Sequence, residues 1–553
     1  MSGYKVFDIE AYDWNEIYAI GIYDGNSEPI IHYTVGRSKN RDITNFEFID
    51  WLFSYLHDND VVYAHNGGKY DFLFIMDYVS AKRAELVKLL TINGSIVSMI
   101  VKKDGKTITF KDSYHILPAS LLRLTNDFDV KHKKLKMDYD LGVKDPNFEN
   151  YFKNDLMGLY EVLKESNLTE KLTIASNAID FYKKLYKSNM TRNADIIDNF
   201  FREAYYGGRV EVVKHVGTYL NYYDVNSLYP YVMSKYEYPL PEKDNFYETY
   251  SYVKGKLGIY ECEVEAPDMY IPVLPVKHNG KLIFPVGKFS GVWCSPELDL
   301  AIEKGYKIKV KKGYVFIKTA NIFKDYVDYW YNIKKNSLGA KKAVAKLMLN
   351  SLYGKFGKRR LHSDLVPVFN KIPDVSIVYG NIVFEQKDVY DSHSMFLHSE
   401  IAAFVTSYAR VHLYRLMEKV GLKSIYYYDT DSIITSTTCQ TSNELGDLKE
   451  EAKITNFIAL APKLYAYTSG DTVVIKAKGL RVSQLKFSDF EKAYKYKDYS
   501  GLKSEFTKIM SLKEGIKYGN GQFTKLRMLR RSIVSADSKR VETEYGDTAP
   551  VKL

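Results

Sequence analysis

Seven carboxylates in this chain stand at spacings that chemistry can use. Asp8 and Glu10 form an Asp-x-Glu pair in the alternating segment YKVFDIE (4–10), and the two-residue strand period sets both on one face. Neighbouring carboxylates repel unless a cation sits between them. Downstream, HNGGKYDFLF offers Asn66 and Asp71 at a turn into an apolar run, and Tyr151-x-x-x-Asp155 stands at the start of a helical pattern. Asp8, Glu10, Asp71 and Asp155 are hard oxygen ligands suited to a pair of Mg²⁺ or Mn²⁺ ions, which can activate a water and stabilise the leaving oxygen in phosphodiester hydrolysis. Each fragment alone also reads as a solvated strand face or ordinary helix packing; the ordered set is stronger.

A second set lies further on. In YYDVNSLYP (222–230) Asp224 ends an apolar strand and leaves the Val225 carbonyl free to help hold a metal; in YYYDTDSII (426–434) Asp429 and Asp431 bracket Thr430 at the tip of a hairpin. Bringing Asp224 beside Asp431 builds a carboxylate site for nucleotidyl transfer. The helix AKLMLNSLYGKF (345–356) spaces Lys346, Asn350 and Tyr353 at i, i+4 and i+7, with Gly354 next. A cation, an amide and a ring on one stripe suit a nucleoside triphosphate: Lys346 pairs with phosphate, Tyr353 packs on the nascent base pair, and Gly354 lets the template base approach the backbone.

The elements that must position these groups are mixed. Strand alternation marks 4–10, 17–23 and 95–103, helical spacing marks 152–166, a helical connector runs over 174–203, and a helix spans 341–355. With 553 residues, 46% hydrophobic and 26% charged, the chain is long enough for several ordered domains, and no repeat or low-complexity tract argues for a solenoid or disorder. A net charge of +10 and 49 Tyr suit a groove that neutralises phosphates and stacks bases, though a compositional bias explains the tyrosines equally well. Cys262, Cys294 and Cys439 are too few and too scattered for a disulfide framework or a zinc knuckle, so a reducing, cytoplasmic compartment is expected, that of the host cell if the source is viral. No export signal is expected, and no stretch reaches the ~18 apolar residues of a membrane span.

The amino-terminal set resembles the three exonuclease motifs of the DnaQ-like proofreading domain of family B DNA polymerases, which has a ribonuclease H-like fold. DVNSLYP, KLMLNSLYG and YDTDS resemble motifs A, B and C of the same family, in the family's order. The resemblance implies an α/β and α+β multidomain fold: an exonuclease domain with helical connector (1–190), a palm in two parts (191–320 and 399–469), fingers (321–357), an insertion (358–398) and a thumb (470–553). It implies two Mg²⁺ or Mn²⁺ ions per site, held by Asp8, Glu10, Asp71 and Asp155 and by Asp224, Val225 and Asp431. By the same resemblance Tyr151 orients the attacking water, Asn66 contacts the single-stranded end, and DSYHILPASL (112–121), with Ser113, looks like the strand-binding stretch. Lys136 matches a lysine near the scissile phosphate, and Tyr229 is the steric gate against a 2′-hydroxyl. Lys334 and Lys342 are further triphosphate contacts. Tyr205, Gly207 and Gly208 resemble the Tyr-x-Gly-Gly linker, Arg410 closes a Thr-x-x-Ala-Arg motif, and Lys463 and Tyr465 form Lys-x-Tyr at the primer terminus.

The motif wording is near that of the protein-primed branch, and 51 residues separate Gly354 from Thr406, room for the insertion that branch uses to ring the template. The implied partners are primer–template DNA, dNTPs and, as primer, a terminal protein; no membrane is expected. An oligonucleotide-primed organellar or viral polymerase would share every catalytic residue, and a binding protein that has lost catalysis would keep the basic and aromatic groove.

Overall fold

The computed structural model describes residues 3–139, 141–186, 190–359, 361–368, 376–379, 382–390, 395–518, 522–535, 539–543 and 547–553. The first sheet runs in the order Ile30–Tyr33, Glu16–Tyr23, Lys5–Tyr12, Val61–Ala64, Lys106–Asp112, Ser95–Lys103, Glu85–Ile92. Its central strand Lys5–Tyr12 is antiparallel to Glu16–Tyr23 and parallel to Val61–Ala64. Strand alternation sends Phe7 and Ile9 into one core with Phe48, Leu52, Phe72 and Ile75 from helices Arg41–Ser54 and Asp71–Ser80. Asp8 and Glu10 are thereby turned to the opposite face, where helix Phe148–Ser166 crosses.

The palm sheet joins distant segments: Thr472–Ala477, Leu464–Ser469, Leu448–Ala461, Val216–Val225, Ser432–Thr435, Ile425–Asp429, Val210–Val212, every neighbouring pair antiparallel. Helix Ser399–Val420 shares its core. Within the expected first palm part, Phe246–Thr249, Lys307–Phe316, Gly258–Ala266 and Gly287–Cys294 form a four-stranded sheet of their own, whose Ile259, Tyr260, Trp293 and Phe316 share the core of Ser399–Val420. Thr472–Ala477 belongs to the palm sheet rather than the thumb, because its apolar residues pair along Leu464–Ser469.

The connector is two helices, Ile174–Leu185 and Asp195–Glu203, rather than one run. The fingers are the helix pair Lys324–Asn336 and Gly339–Ser351, and a break at Leu352 separates the second from Tyr353–Phe356. The described strands of the insertion, Leu361–Val368, Ser376–Tyr379 and Ile382–Tyr390, form a three-stranded antiparallel sheet; residues 360, 369–375, 380–381 and 391–394 of the expected 358–398 lie outside the described residues.

The thumb carries helix Phe487–Tyr496, the hairpin Lys503–Ile509 with Leu526–Ser532, and helix Leu512–Tyr518 between its strands. Its tip, the insertion and the exonuclease sheet meet in one apolar cluster that includes Ile382, Phe384, Leu512, Ile516 and Phe523. Asp77 of the exonuclease domain accepts hydrogen bonds there from the amides of Phe523 (2.5 Å) and Thr524 (3.1 Å) and from the Thr524 hydroxyl (2.6 Å). Asp77→Ala removes the acceptor of these buried donors, at about 1–3 kcal/mol for each hydrogen bond left unmade. Hydrogen exchange at the 523 and 524 amides is expected to accelerate at least about tenfold while the palm amides keep their protection.

Residues 539–543 and 547–553 lie back against the palm. Thr548 donates to the Val212 and Val213 carbonyls at 2.9 Å, Arg540 holds Thr548 Oγ1 at 2.8 Å, and Leu553 exchanges backbone bonds with 286–288. No described helix is long and apolar enough to cross a membrane.

Candidate active sites

The first site forms where strand Lys5–Tyr12 meets the start of Asp71–Ser80 and the face of Phe148–Ser166. Among the described residues, Asp8, Glu10 and Asp155 are the group whose ligand atoms lie within 4.8 Å of one another. Asp71 stands beside them, its Oδ1 taking the Ile9 amide at 3.1 Å. The preceding loop demands glycine: a Cβ on Gly68 would lie 1.8 Å from the Ile96 carbonyl. Asn66 there is left-handed at φ 63° and half-buried.

Tyr151 donates its hydroxyl to Glu10 at 3.0 Å, and Lys134 donates to that hydroxyl at 3.0 Å and to Asp155. The lysine at the site is therefore Lys134 and not Lys136. The chain is irregular between 131 and 138, so no helical or strand period was available to choose between them. Ser113 is fully buried, bonded to the Ala64 carbonyl and His65; it braces His65 and presents nothing to a strand.

Burial pushes Glu10 up to about 7 and Asp71 up to about 8; burial, then Asp71, Glu10 and Asp155, raises Asp8. Asp155 Oδ1 is buried without a hydrogen-bond partner. An orphaned carboxylate oxygen amid like charges fits a divalent cation, which would be held by Asp8, Glu10, Asp71 and Asp155.

The second site lies at the centre of the palm sheet. Ser432 is paired with Asp224, and the Val225 amide donates to the Asp431 carbonyl at 2.7 Å, which sets Asp224 beside Asp431. Burial, with Asp431 adding, raises Asp224 to about 7, and its Oδ1 is also buried and unpartnered. This pair likewise fits a cation. Asp429 is engaged differently: Lys463 Nζ lies 2.8 and 2.9 Å from its two oxygens, and Tyr427 donates to it at 3.2 Å.

Raised carboxylates make a prediction with a definite sign. A group whose folded pKa exceeds its unfolded value adds stability below the unfolded pKa and loses it as pH rises through the folded one. Between about pH 4 and pH 8, Glu10, Asp71 and Asp224 all act in that direction. In EDTA the Tm is expected to fall from pH 5.5 to pH 8, and millimolar Mg²⁺ is expected to restore it most at pH 8, where protons compete least; differential scanning calorimetry reads both.

Around the palm site, the Tyr229 and Tyr353 rings stack at 4.6 Å with 15° between planes. Lys334 donates to Ser227 at 2.9 Å, and its amine is lowered by burial and by the charges of Lys346 and Lys342, so the three lysines share one field. Lys342, Lys346 and Asn350 are exposed on Gly339–Ser351, and Tyr353 follows at the start of Tyr353–Phe356, half-buried against Tyr229. Gly354 is exposed, with open space where a Cβ would point.

Arg410 does not reach a groove. It is buried, makes a two-pronged pair with Glu297 at 2.8 Å, and donates to the Tyr206 and Gly207 carbonyls at 2.8 and 2.9 Å, so it holds the 205–208 linker from behind. Tyr465 is also buried, its ring 4.9 Å from that of Tyr427. Tyr205 is half-buried, and Gly207 is exposed. Sequence reasoning missed Lys539, which segment 539–543 sets in the field of Glu211 and Asp429; burial lowers its amine and those carboxylates oppose the shift. No local pattern marks it.

This architecture, an exonuclease-type sheet joined to a palm with fingers and thumb, is that of the family B DNA polymerases. The structure superimposes on phi29 DNA polymerase complexed with primer–template DNA and incoming nucleotides, with TM-score 0.72 and 21% identity over 97% of this chain and 100% of that one. Residues 53–155 and 147–412 match the sequence model of DNA polymerase type B, organellar and viral, and the chain belongs to that family. Relatives include the "Probable DNA polymerase" of Podospora anserina, 30% identical over 72% of this chain and 42% of its own length. The "DNA-directed DNA polymerase" of Enterobacteria phage PRD1 is 27% identical over 84% of this chain and 85% of its own. The chain spans about half the length of the fungal relatives, 42% of the Podospora protein and 51% of that of Neurospora intermedia.

Proposed function

We propose that the chain is a DNA-directed DNA polymerase with a 3′–5′ proofreading exonuclease. The observation that carries this reading is the pair of separate carboxylate sites in one chain, each with an orphaned buried oxygen, on Asp155 and on Asp224. When bound, divalent cations lower the pKa of the attacking hydroxyl or water and neutralise the leaving oxygen.

The chain's own groups do the rest. Lys334, Lys342 and Lys346 bind the triphosphate of a dNTP, and Tyr229 on Tyr353 forms the wall beside its sugar, where a 2′-hydroxyl would collide. Lys463 lies at the primer side of Asp429. In the editing site, Tyr151 holds the water that attacks the terminal phosphodiester, and Lys134 balances charge on that phosphate. Asn66 and the loop around it receive the frayed single strand.

The finer reading is protein-primed replication with strand displacement. It is supported by the insertion sheet and thumb tip, which pack into one apolar cluster with the exonuclease domain. The test is extension of a primed single-stranded template with dNTPs and Mg²⁺, with and without a strand annealed ahead of the primer. Long products through the duplex support the full reading. Stalling at the duplex leaves the polymerase and favours an oligonucleotide-primed enzyme; no extension overturns the polymerase reading in favour of a binding protein.

A further inference from the structure

A buried charge network under the palm hairpin has no part in the chemistry above. Segment 208–212 wraps the hairpin tip: Val210–Val212 pairs with Ile425–Asp429, setting Glu211 opposite Tyr428 and Val210 opposite Asp429. Arg209, Glu211 and Tyr428 are 1%, 0% and 0% exposed. The Tyr428 hydroxyl donates to Glu211 Oε2, Arg209 Nη2 lies 3.7 Å from the same carboxylate, and Arg209 also donates to the Pro272 carbonyl with its guanidinium 3.9 Å from the centre of the Phe284 ring. An ion pair this deep is costly to desolvate, so packing alone would favour apolar residues here.

Its geometry runs to the catalytic turn. Thr430, between Asp429 and Asp431, is left-handed at φ 60°, an unfavourable conformation for a β-branched residue. Its amide is held by the Arg209 carbonyl at 2.7 Å, and a Cβ on Gly208 would lie 2.6 Å from Thr430 Oγ1, so the linker's last glycine seats against the turn.

We infer that Arg209, Glu211 and Tyr428 are positioning residues for nucleotidyl transfer: the buried network fixes the backbone of 208–210 so that Thr430 stays strained and Asp429 and Asp431 stay aimed at the reaction site. This rests on the polymerase reading of that site. None of the three residues approaches the exonuclease carboxylates, so editing reports on the fold of the same preparation.

The test compares full-length Tyr428→Phe, Glu211→Gln and Arg209→Lys with the parent chain in single-nucleotide incorporation, titrating Mg²⁺ and dNTP separately, and in degradation of single-stranded DNA. A displacement of the turn by a fraction of an ångström is expected to lower kcat about ten- to hundredfold in Tyr428→Phe and Glu211→Gln. The Mg²⁺ concentration for half-maximal incorporation is expected to rise, with the dNTP KM within about twofold and degradation unchanged. Arg209→Lys, which keeps the charge, is expected to fall between these and the parent. Unchanged kcat and Mg²⁺ dependence in Tyr428→Phe and Glu211→Gln overturns the inference, as does a parallel loss of incorporation and degradation, which marks a general structural role. Failure of the parent chain itself to incorporate would instead overturn the polymerase reading.

Discussion

Asp431→Ala abolishes primer extension and leaves degradation of single-stranded DNA intact: that is the expected result of removing one of the two carboxylates that the palm sheet brings together. Loss of a cation ligand forfeits several kcal/mol of transition-state charge stabilisation, which at 1.36 kcal/mol per decade means a fall of at least about a thousandfold in kcat for incorporation. Asp224 would be left with a single neighbouring charge fewer, so its own carboxyl, now near 7, should move back toward the ordinary range. Pre-steady-state incorporation on a primed template gives the rate, and the exonuclease assay on the same preparation supplies the control. Loss of both activities in a folded variant would mean that the two sites are not independent.

The converse experiment is Asp8→Ala with Glu10→Ala. Degradation of single-stranded DNA should fall by at least about a thousandfold for the same reason, with extension within about twofold of the parent. A second effect follows from the crowding of buried carboxylates: after burial, Asp71 and Glu10 raise Asp8, and Glu10 helps to raise Asp71, so removing Asp8 and Glu10 relieves repulsion. In EDTA at pH 8 the double variant should therefore melt no lower than the parent, and the Mg²⁺-dependent gain in Tm from this site should vanish. A marked drop in Tm would show that these carboxylates serve the fold as well as the chemistry.

The carboxylates of both sites were legible because each motif is short and its geometry local: a two-residue strand period for Asp8 and Glu10, and a tight hairpin for Asp429 and Asp431. Residues that a distant partner withdraws from the expected role were not. Arg410 follows a binding-motif pattern, yet its partner Glu297 lies 113 positions earlier and withdraws it from the surface. Ser113 is consumed in the same way by Ala64 and His65. The separate sheet over 246–316 was invisible because alternation marks a strand but not the sheet it joins. The contact of 539–543 and 547–553 with the palm rests on single residues such as Thr548 and Arg540, which carry no periodicity. The stacking of Tyr353 on Tyr229 shows a subtler limit: helical spacing placed Tyr353 on a stripe, but its ring partner lies 124 positions earlier.

The interleaved palm sheet has a consequence for how the molecule is made. All seven strands of the amino-terminal sheet have emerged by Asp112, and its last carboxylate arrives with Asp155. Strand Val216–Val225, which carries Asp224, must wait for Ser432–Thr435 and Leu448–Ala461 before either edge is paired. At about 5–20 residues per second, ribosomal synthesis leaves that strand unpaired for roughly ten to forty seconds. During this interval the nascent chain exposes an unsatisfied strand edge, so the window between Val225 and Ser432 is where a chaperone is most needed and where premature termination would release a chain that carries the first carboxylate set but not the second.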